Sequence, residues 1–444
     1  MPDSAGTLDL LIEARWLIPV QPAGATLEHQ GVAVHGGKIR AILPLAEARK
    51  RYVPKRTVAL PRHVLIPGLV NLHTHAAMSL MRGIADDLPL MEWLKEHIWP
   101  LEGRHVSPAF VKDGTLLACA EMLKGGVTCF NDMYFFPRAA AEAALSLGMR
   151  AALGLIVTDF PTPYADDAQD YLSKGTALRD ELLGEKLLTF CLAPHAPYTV
   201  SDPTFERVLT LAEQLEVPVH VHVQETASEV EESVARHGVR PLERLRRLGL
   251  VGPGLVAAHC VHLNEAELDL MAEQGASIAH CPVSNMKLAS GIAPIAAALE
   301  RGINVGLGSD GAASNNRLDI FQEMRQAALL AKVATGNAAA LDAHHAIFMA
   351  TLAGARALGL EGRIGSVEVG KEADLCAVDL SGWEIGPCFH PVSHLLYAAG
   401  REHVSHVWVA GEARVEDGKL LHSVTARMMD IAKVWQNRLR LPPD

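Results

Sequence analysis

Between residues 69 and 310 the chain repeats one pattern, a short run dominated by apolar residues followed by a segment of helical periodicity. Eight such runs can be counted, at 69–75, 127–133, 150–157, 188–194, 217–224, 255–260, 276–282 and 303–310. This alternation signals βα units and a parallel sheet. Eight such units are what a closed (β/α)8 TIM-type barrel requires. The third helical segment is the least regular, because Pro161-Thr-Pro163 and the acidic stretch after it read as a loop ahead of a helix over 170–183. An open doubly wound sheet is the competing architecture, and it is disfavoured because no glycine-rich phosphate loop follows any run.

The flanks have a different texture. Residues 8–66 read as short strands at 9–18, 31–35 and 38–43, the last two joined by Gly36-Gly37, a tight-turn signal because glycine tolerates positive φ. Residues 363–422 repeat that texture, with strands at 374–379 and 404–410 and then Gly411-Glu412. Segments 344–360 and 423–438 have the amphipathic pattern of helices that can support self-association, so a homo-oligomer is expected.

With 444 residues, 49% of them hydrophobic and 20% charged, the chain can bury a large core. Forty basic side chains against 51 acidic ones leave a formal net charge of −11. A phosphate backbone is gripped mainly by basic side chains, so no nucleic-acid partner is expected. The seven cysteines (Cys119, Cys129, Cys191, Cys260, Cys281, Cys376 and Cys388) are odd in number, scattered and without a Cys-x-x-Cys pair. That usage fits buried free thiols in a reducing compartment. Residues 1–8 lack a basic region followed by an apolar run, and no stretch of about 18 uninterrupted apolar residues occurs. No membrane association and a cytoplasmic location are the resulting expectations.

In a barrel of this kind the active site lies at the C-terminal ends of the strands. His73 and His75 end the first run, His195 follows the fourth, His222 ends the fifth, His259 the sixth and Asp310 the eighth. Chance does not gather metal-competent residues at the same end of five different strands. Residues i and i+2 of a strand share a face, so the imidazoles of His73 and His75 can reach one ion. His220 shares the face of His222 one layer deeper and is expected to be a core histidine, whereas His280 is open between packing and the site.

His73, His75, His222 and Asp310 together offer three neutral nitrogens and a carboxylate, a set that suits Zn2+ and tolerates Fe2+ or Mn2+. A zinc-bound water has a pKa of about 7, so hydrolysis is the natural chemistry. Two-metal barrels need a bridging ligand, typically a modified lysine at the end of the fourth run; here Lys186 precedes that run and its end reads Leu192-Ala-Pro-His195, which points to one ion per subunit. Glu225, three residues beyond His222, is placed to protonate a ring nitrogen, although an acid opening a helix is also ordinary. His259 is placed to orient the water and to stabilise the charge of an addition intermediate.

Over nearly its whole length the chain resembles the amidohydrolase superfamily, and within it the nucleoside deaminases that act on 5'-methylthioadenosine and S-adenosylhomocysteine. The motifs are Pro67-Gly-Leu-Val-Asn-Leu-His-Thr-His75, Met81-Arg-Gly-Ile-Ala-Asp-Asp-Leu88, Ala193-Pro-His-Ala-Pro-Tyr198, His259-Cys-Val-His262, Ser284-Asn-Met-Lys-Leu288 and Gly308-Ser-Asp-Gly-Ala-Ala-Ser-Asn-Asn316. Gly365-Ser-Val-Glu-Val-Gly-Lys-Glu-Ala-Asp374 resembles the return of the chain into a flanking β-sandwich. The resemblance implies a metal-dependent barrel over 67–362, a small β-sandwich built from 1–66 and 363–422, and a terminal helix over 423–444. It implies the same four metal ligands, Glu225 as proton carrier and His259 beside the water. It further implies that Glu102 holds the ribose hydroxyls of a small-molecule nucleoside and that His195 contacts the substrate near purine and sugar. A carboxylate receiving two vicinal hydroxyls is a sound way to recognise a nucleoside.

The reaction expected is hydrolytic deamination at C6 of an adenine ring. Hydroxide adds to C6 while Glu225 protonates N1, and Asp310 carries the remaining proton to the leaving amine. Family members that handle S-adenosylhomocysteine present arginines to its carboxylate from the loop after the third run. Here residues 154–167 contain no arginine and three aspartates, Asp159, Asp166 and Asp167. A carboxylate tail would meet no cation there and would face repulsion, whereas a methylthio group needs only an apolar wall, for which Met78, Met81, Leu90, Trp93 and Trp99 are candidates. The order expected is 5'-methylthioadenosine, then adenosine, then S-adenosylhomocysteine. A guanine or triazine hydrolase on the same scaffold is the alternative enzyme, against which Glu102 weighs, since a free base has no ribose. A catalytically silent scaffold protein is the alternative from another class, against which the complete ligand set weighs.

Overall fold

The computed structural model describes residues 6–421 and 425–440. Four strands precede the barrel: β1 (Gly6–Leu17), β2 (Leu27–His35), β3 (Lys38–Pro44) and β4 (Tyr52–Pro67). The eight apolar runs are then β5 (Leu69–Thr74), β6 (Val127–Tyr134), β7 (Arg150–Val157), β8 (Leu188–Pro194), β9 (Val219–Val223), β10 (Leu255–His259), β11 (Ser277–His280) and β12 (Asn304–Leu307). Four more strands follow, β13 (Leu375–Asp379), β14 (Val404–Val409), β15 (Glu412–Glu416) and β16 (Lys419–Leu420).

Strands β5 to β12 pair in sequence order, each parallel to the next. Every residue of β5, β6, β7, β9, β10 and β11 is buried, which is why the runs show no polar alternation. The first and last strands lie side by side and the Asp310 N–H donates to the His73 carbonyl at 2.9 Å, so the sheet comes round on itself as a TIM-like barrel. The helix after β7 runs Ala168–Leu182, and the Asp167 side chain caps it by accepting from the Asp170 N–H at 2.9 Å. The helical stretch expected over 344–360 is present but carries a π turn at Met349–Ala353.

The outer strands form one continuous mixed sheet, in the order β16-β15-β14-β13-β4-β1-β2-β3. It curls so that its edge hairpin meets its other half: the Ile39 N–H donates to Lys371 O and the Ala373 N–H to Gly37 O, both at 2.9 Å. Leu10, Ile12, Val34, Ile39, Leu375 and Trp408 share the apolar core enclosed by that curl. At Gly37 a side chain would stand 2.6 Å from the Ala410 carbonyl, so the turn read as Gly36-Gly37 also needs glycine for this close approach.

Sheet and barrel are tied by a buried ion pair. Arg150, which opens β7, places Nε and one terminal nitrogen each 3.0 Å from the two carboxylate oxygens of Asp374, and it also reaches Glu372. Asp374 in turn accepts from the Ala410 N–H at 2.7 Å. The Glu-Ala-Asp374 motif therefore does its work at this joint. At the other end the helix Thr425–Leu439 docks through Trp435, whose indole N–H donates to Asp113 at 2.9 Å; residues 423–424 and 441–444 of that expected segment lie outside the described residues. No helix among the described residues is long and apolar enough to cross a membrane.

Candidate active site

His73, His75, His222 and Asp310 converge at the C-terminal mouth of the barrel. Nε2 of His73 and Nε2 of His75 stand 3.4 Å and 3.3 Å from Oδ1 of Asp310, and His73 also lies in a cluster with His222 and His259. Two donors about 2.0–2.1 Å from one ion at a tetrahedral angle stand about 3.3–3.4 Å apart, so the spacing fits a shared cation. The tautomers agree with this. His75 directs Nδ1 at the Met133 carbonyl at 2.5 Å and His222 directs Nδ1 at the His195 carbonyl at 2.6 Å. A carbonyl only accepts, so each Nδ1 carries the proton and each Nε2 keeps its lone pair for an ion. His73 Nε2 is buried with no hydrogen-bond partner among the described residues. Burial holds the His73 imidazole at about 4 and His222 well below its ordinary value, so both are neutral at pH 7, as a ligand must be.

Behind His73 stands His220, Nε2 at 2.9 Å from His73 Nδ1, so that a proton on His73 Nδ1 directed at His220 leaves His73 Nε2 free for an ion; His220 Nδ1 lies 3.1 Å from the Asn131 side-chain amide. This buried chain fixes the ring plane of His73 from inside the barrel. Asp310 is held as firmly. Ser284 and Ser314 hydroxyls donate to Oδ2 at 2.6 and 2.5 Å, and the Gly311 N–H donates to Oδ1 at 2.7 Å. Although burial alone raises its carboxyl, the histidines around it hold Asp310 well below the ordinary carboxylate range. A side chain at Gly308 would stand 2.7 Å from His73 Cβ and 2.9 Å from His73 N, so only glycine lets the last strand come this close to the first. Gln224, His259 and Asp310 all adopt left-handed backbone, with φ of 51°, 69° and 58°. Each costs of order 1–3 kcal/mol, and all three follow or end barrel strands at the site.

Glu225 and His259 face each other, Oε2 to Nε2 at 3.8 Å. His259 is oriented by Asn285, whose Oδ1 lies 2.8 Å from Nδ1. Burial raises the Glu225 carboxyl, offset in part by His259. Burial alone would lower His259, but Glu225 and Asp310 raise it. The Ser284-Asn-Met-Lys motif thereby contributes three contacts, since Lys287 also bonds Asp86 at 2.6 Å and ties the loop after β5 to this rim.

A cavity of about 350 Å³ opens directly on this cluster. His75, His195, His222, Glu225, His259 and Asp310 line it together with Glu102, and no lysine or arginine among the described residues does. Glu102 sits half-buried on the helix Trp99–His105, and burial pushes its carboxyl up to about 7 against the Tyr134 hydroxyl that donates to it at 2.6 Å. His195 is anchored through Nδ1 to Thr199 at 3.0 Å, and burial holds it at about 3. Met78, Leu90, Trp93 and Trp99 line the cavity as the sequence suggested, but Met81 does not, because it points into the core. The three aspartates of the 154–167 loop are not on the wall either. Asp159 accepts from the Ser201 N–H and the Thr204 hydroxyl, and Asp167 caps its helix, so the expected repulsion from them is replaced by the apolar face of Phe160, Pro161 and Pro163. Sequence reasoning passed over Tyr134 and Glu229, the latter a buried acid that accepts from the Gln224 and Glu225 N–H groups at 3.0 and 2.8 Å.

Comparison with known proteins follows the same outline. A model of the amidohydrolase family matches residues 64–414. A 5-methylthioadenosine/S-adenosylhomocysteine deaminase of Saccharophagus degradans is 45% identical, with 97% of each chain covered. The crystal structure of an adenosine deaminase from Xanthomonas campestris with bound zinc is similar at a TM-score of 0.97 and 51% identity, covering 98% of this chain and 99% of that one. An atrazine chlorohydrolase from Arthrobacter aurescens complexed with zinc reaches 0.90 at 24% identity, covering 96% and 99%, a likeness of fold alone.

Proposed function

The chain belongs to the amidohydrolase family, and from that premise we propose that it is a zinc-dependent deaminase of adenine nucleosides, with 5'-methylthioadenosine preferred over adenosine and S-adenosylhomocysteine the poorest of the three. One observation carries the reading: two overlapping clusters able to hold a cation, His73 with His75 and Asp310 and His73 with His222 and His259, open onto a cavity that also holds Glu225, Glu102 and an apolar wall. The names of the relatives in Saccharophagus and Xanthomonas point the same way.

His73, His75, His222 and Asp310 would hold the cation. When bound, it supplies the Lewis acidity that brings a water's pKa down to about 7. The protein's own groups then manage the protons. Glu225, its carboxyl raised by burial, gives a proton to N1 of the purine, takes one from the attacking water and so leaves the step as it entered. Protonation at N1 makes C6 the electrophilic carbon to which the water oxygen bonds. Asp310 receives the second proton of that oxygen and passes it to the C6 amine, which departs as ammonia while the C–N bond breaks and C6=O forms. His259, oriented by Asn285 and raised by its acidic neighbours, stabilises negative charge on the oxygen during addition. Glu102 receives the two ribose hydroxyls, and His195 contacts the purine and sugar.

The order among substrates rests on the wall. A methylthio group gains by leaving water for Trp93, Trp99 and Phe160. An amino-acid tail would lose the hydration of its carboxylate with no lysine or arginine among the described residues on the lining to replace it. Zinc-loaded protein assayed by ultraviolet absorbance and ammonia release should give kcat/KM highest for 5'-methylthioadenosine and lowest for S-adenosylhomocysteine. Equal or higher efficiency with S-adenosylhomocysteine overturns the preference; ammonia from guanine and from no adenine nucleoside overturns the activity. Dialysis against a chelator should abolish turnover, and added Zn2+ should restore it.

A further inference from the structure

Two consecutive residues at the end of β6 reach to opposite functions. The Met133 carbonyl receives Nδ1 of His75, at the cation cluster, and the Tyr134 hydroxyl donates to Oε1 of Glu102 at 2.6 Å. Glu102 itself stands on a short helix, Trp99–His105, that follows a π-helical turn at Trp93–Ile98. That segment lies outside the barrel, and its carboxylate needs a fixed partner to keep one orientation. Tyr134 is buried at the barrel rim and is such a partner.

We propose that Tyr134 is the positioning residue through which this protein distinguishes nucleosides from ligands without a ribose diol, by locking Glu102 in the orientation that receives two hydroxyls. The inference rests on the ribose role given to Glu102 above. A carboxylate offers about four lone-pair sites. With Oε1 held by Tyr134 on one of them, Oε2 and the remaining lone pair of Oε1 form a fork of the width of a vicinal diol. Because the same strand end also anchors His75, the distance from sugar to reacting ring is set by adjacent residues of one rigid element. Without the phenol the carboxylate loses a charge-assisted hydrogen bond and its fixed rotamer, and the diol has no prearranged receptor.

Tyr134→Phe keeps the ring and removes only the oxygen. Adenosine and 2',3'-dideoxyadenosine are compared on wild-type and variant protein, with zinc content and thermal unfolding measured on both. The expected result is a rise of roughly tenfold in KM for adenosine, kcat within about twofold, and no change in KM for the dideoxy analogue. In a Glu102→Gln background the same change should have no further effect on adenosine, since contacting residues couple. An unchanged adenosine KM, an equal loss on both substrates, or full additivity with Glu102→Gln overturns the proposal. If the wild type releases no ammonia from any nucleoside, the activity reading fails instead. Calorimetric binding of the same two ligands to the same variants then reads the Tyr134 contact by itself.

Discussion

The backbone N–H of Glu225 donates to the carboxylate of Glu229 at 2.8 Å, so the acid assigned to proton transfer is held in place by a second buried acid on the helix that follows. The other oxygen of Glu229 receives the Gln224 N–H at 3.0 Å and so holds the left-handed turn that swings Glu225 into the cavity. Glu229→Gln replaces one acceptor by a donor facing an N–H. A hydrogen bond to a charged group contributes about 1.5–3 kcal/mol, so kcat should fall roughly tenfold or more with zinc content unchanged. Steady-state kinetics with metal analysis on the same sample checks this.

Glu225→Gln keeps shape and polarity but cannot exchange a proton with N1. Turnover should drop by about 10²–10⁴ while the protein still binds one zinc per chain. Wild-type turnover in that variant removes the proton-transfer role from Glu225.

The pH dependence of KM should report Glu102. Burial lifts its carboxyl to about 7, and only the ionised form can receive both ribose hydroxyls. As pH falls through 7 the carboxylate gains a proton and nucleoside binding is lost, so KM for adenosine rises on the acid side and levels off above it. Glu102→Gln should flatten that limb while leaving a high KM throughout. A KM profile for the wild type without an inflection between about pH 6 and 8 contradicts the assignment.

Arg150→Ala tests the joint between barrel and curled sheet. It leaves Asp374 buried without its guanidinium, a loss of about 3–5 kcal/mol. Thermal unfolding should move down by several degrees. The site stands at the opposite end of the strands, so kcat/KM of the protein that remains folded should change little.

The barrel was legible because its strands are buried on both faces, which writes them into the sequence as unbroken apolar runs; all eight appear within a few residues of their expected ends. The candidate ligands were legible as a group because strand ends are where polar residues interrupt such runs. What stayed hidden has local physical causes. Tyr134 extends β6 by one residue beyond the expected end, and a tyrosine in a strand reads as packing. Glu229 follows Thr226 at the spacing of a capping box, yet only half of that box forms: Thr226 accepts from the Glu229 N–H at 3.2 Å, while the Glu229 carboxylate goes to the loop behind. The charges of the 154–167 loop were misread because aspartates in loops cap helices as readily as they face a cavity. The π turns have no residue signature and could not be read at all.

The seam at Gly308 has a bearing on how the protein matures. Its closure brings Asp310 against His73, so the donors come from opposite ends of the barrel's chain path and meet only when the final strand docks beside the first. A nascent polypeptide that has not yet delivered residue 310 offers imidazoles alone, without the carboxylate that completes the cage. Completion of the donor set is thus tied to the end of barrel assembly, because the glycine that lets the seam close and the aspartate that supplies the carboxylate arrive on the same short stretch of chain.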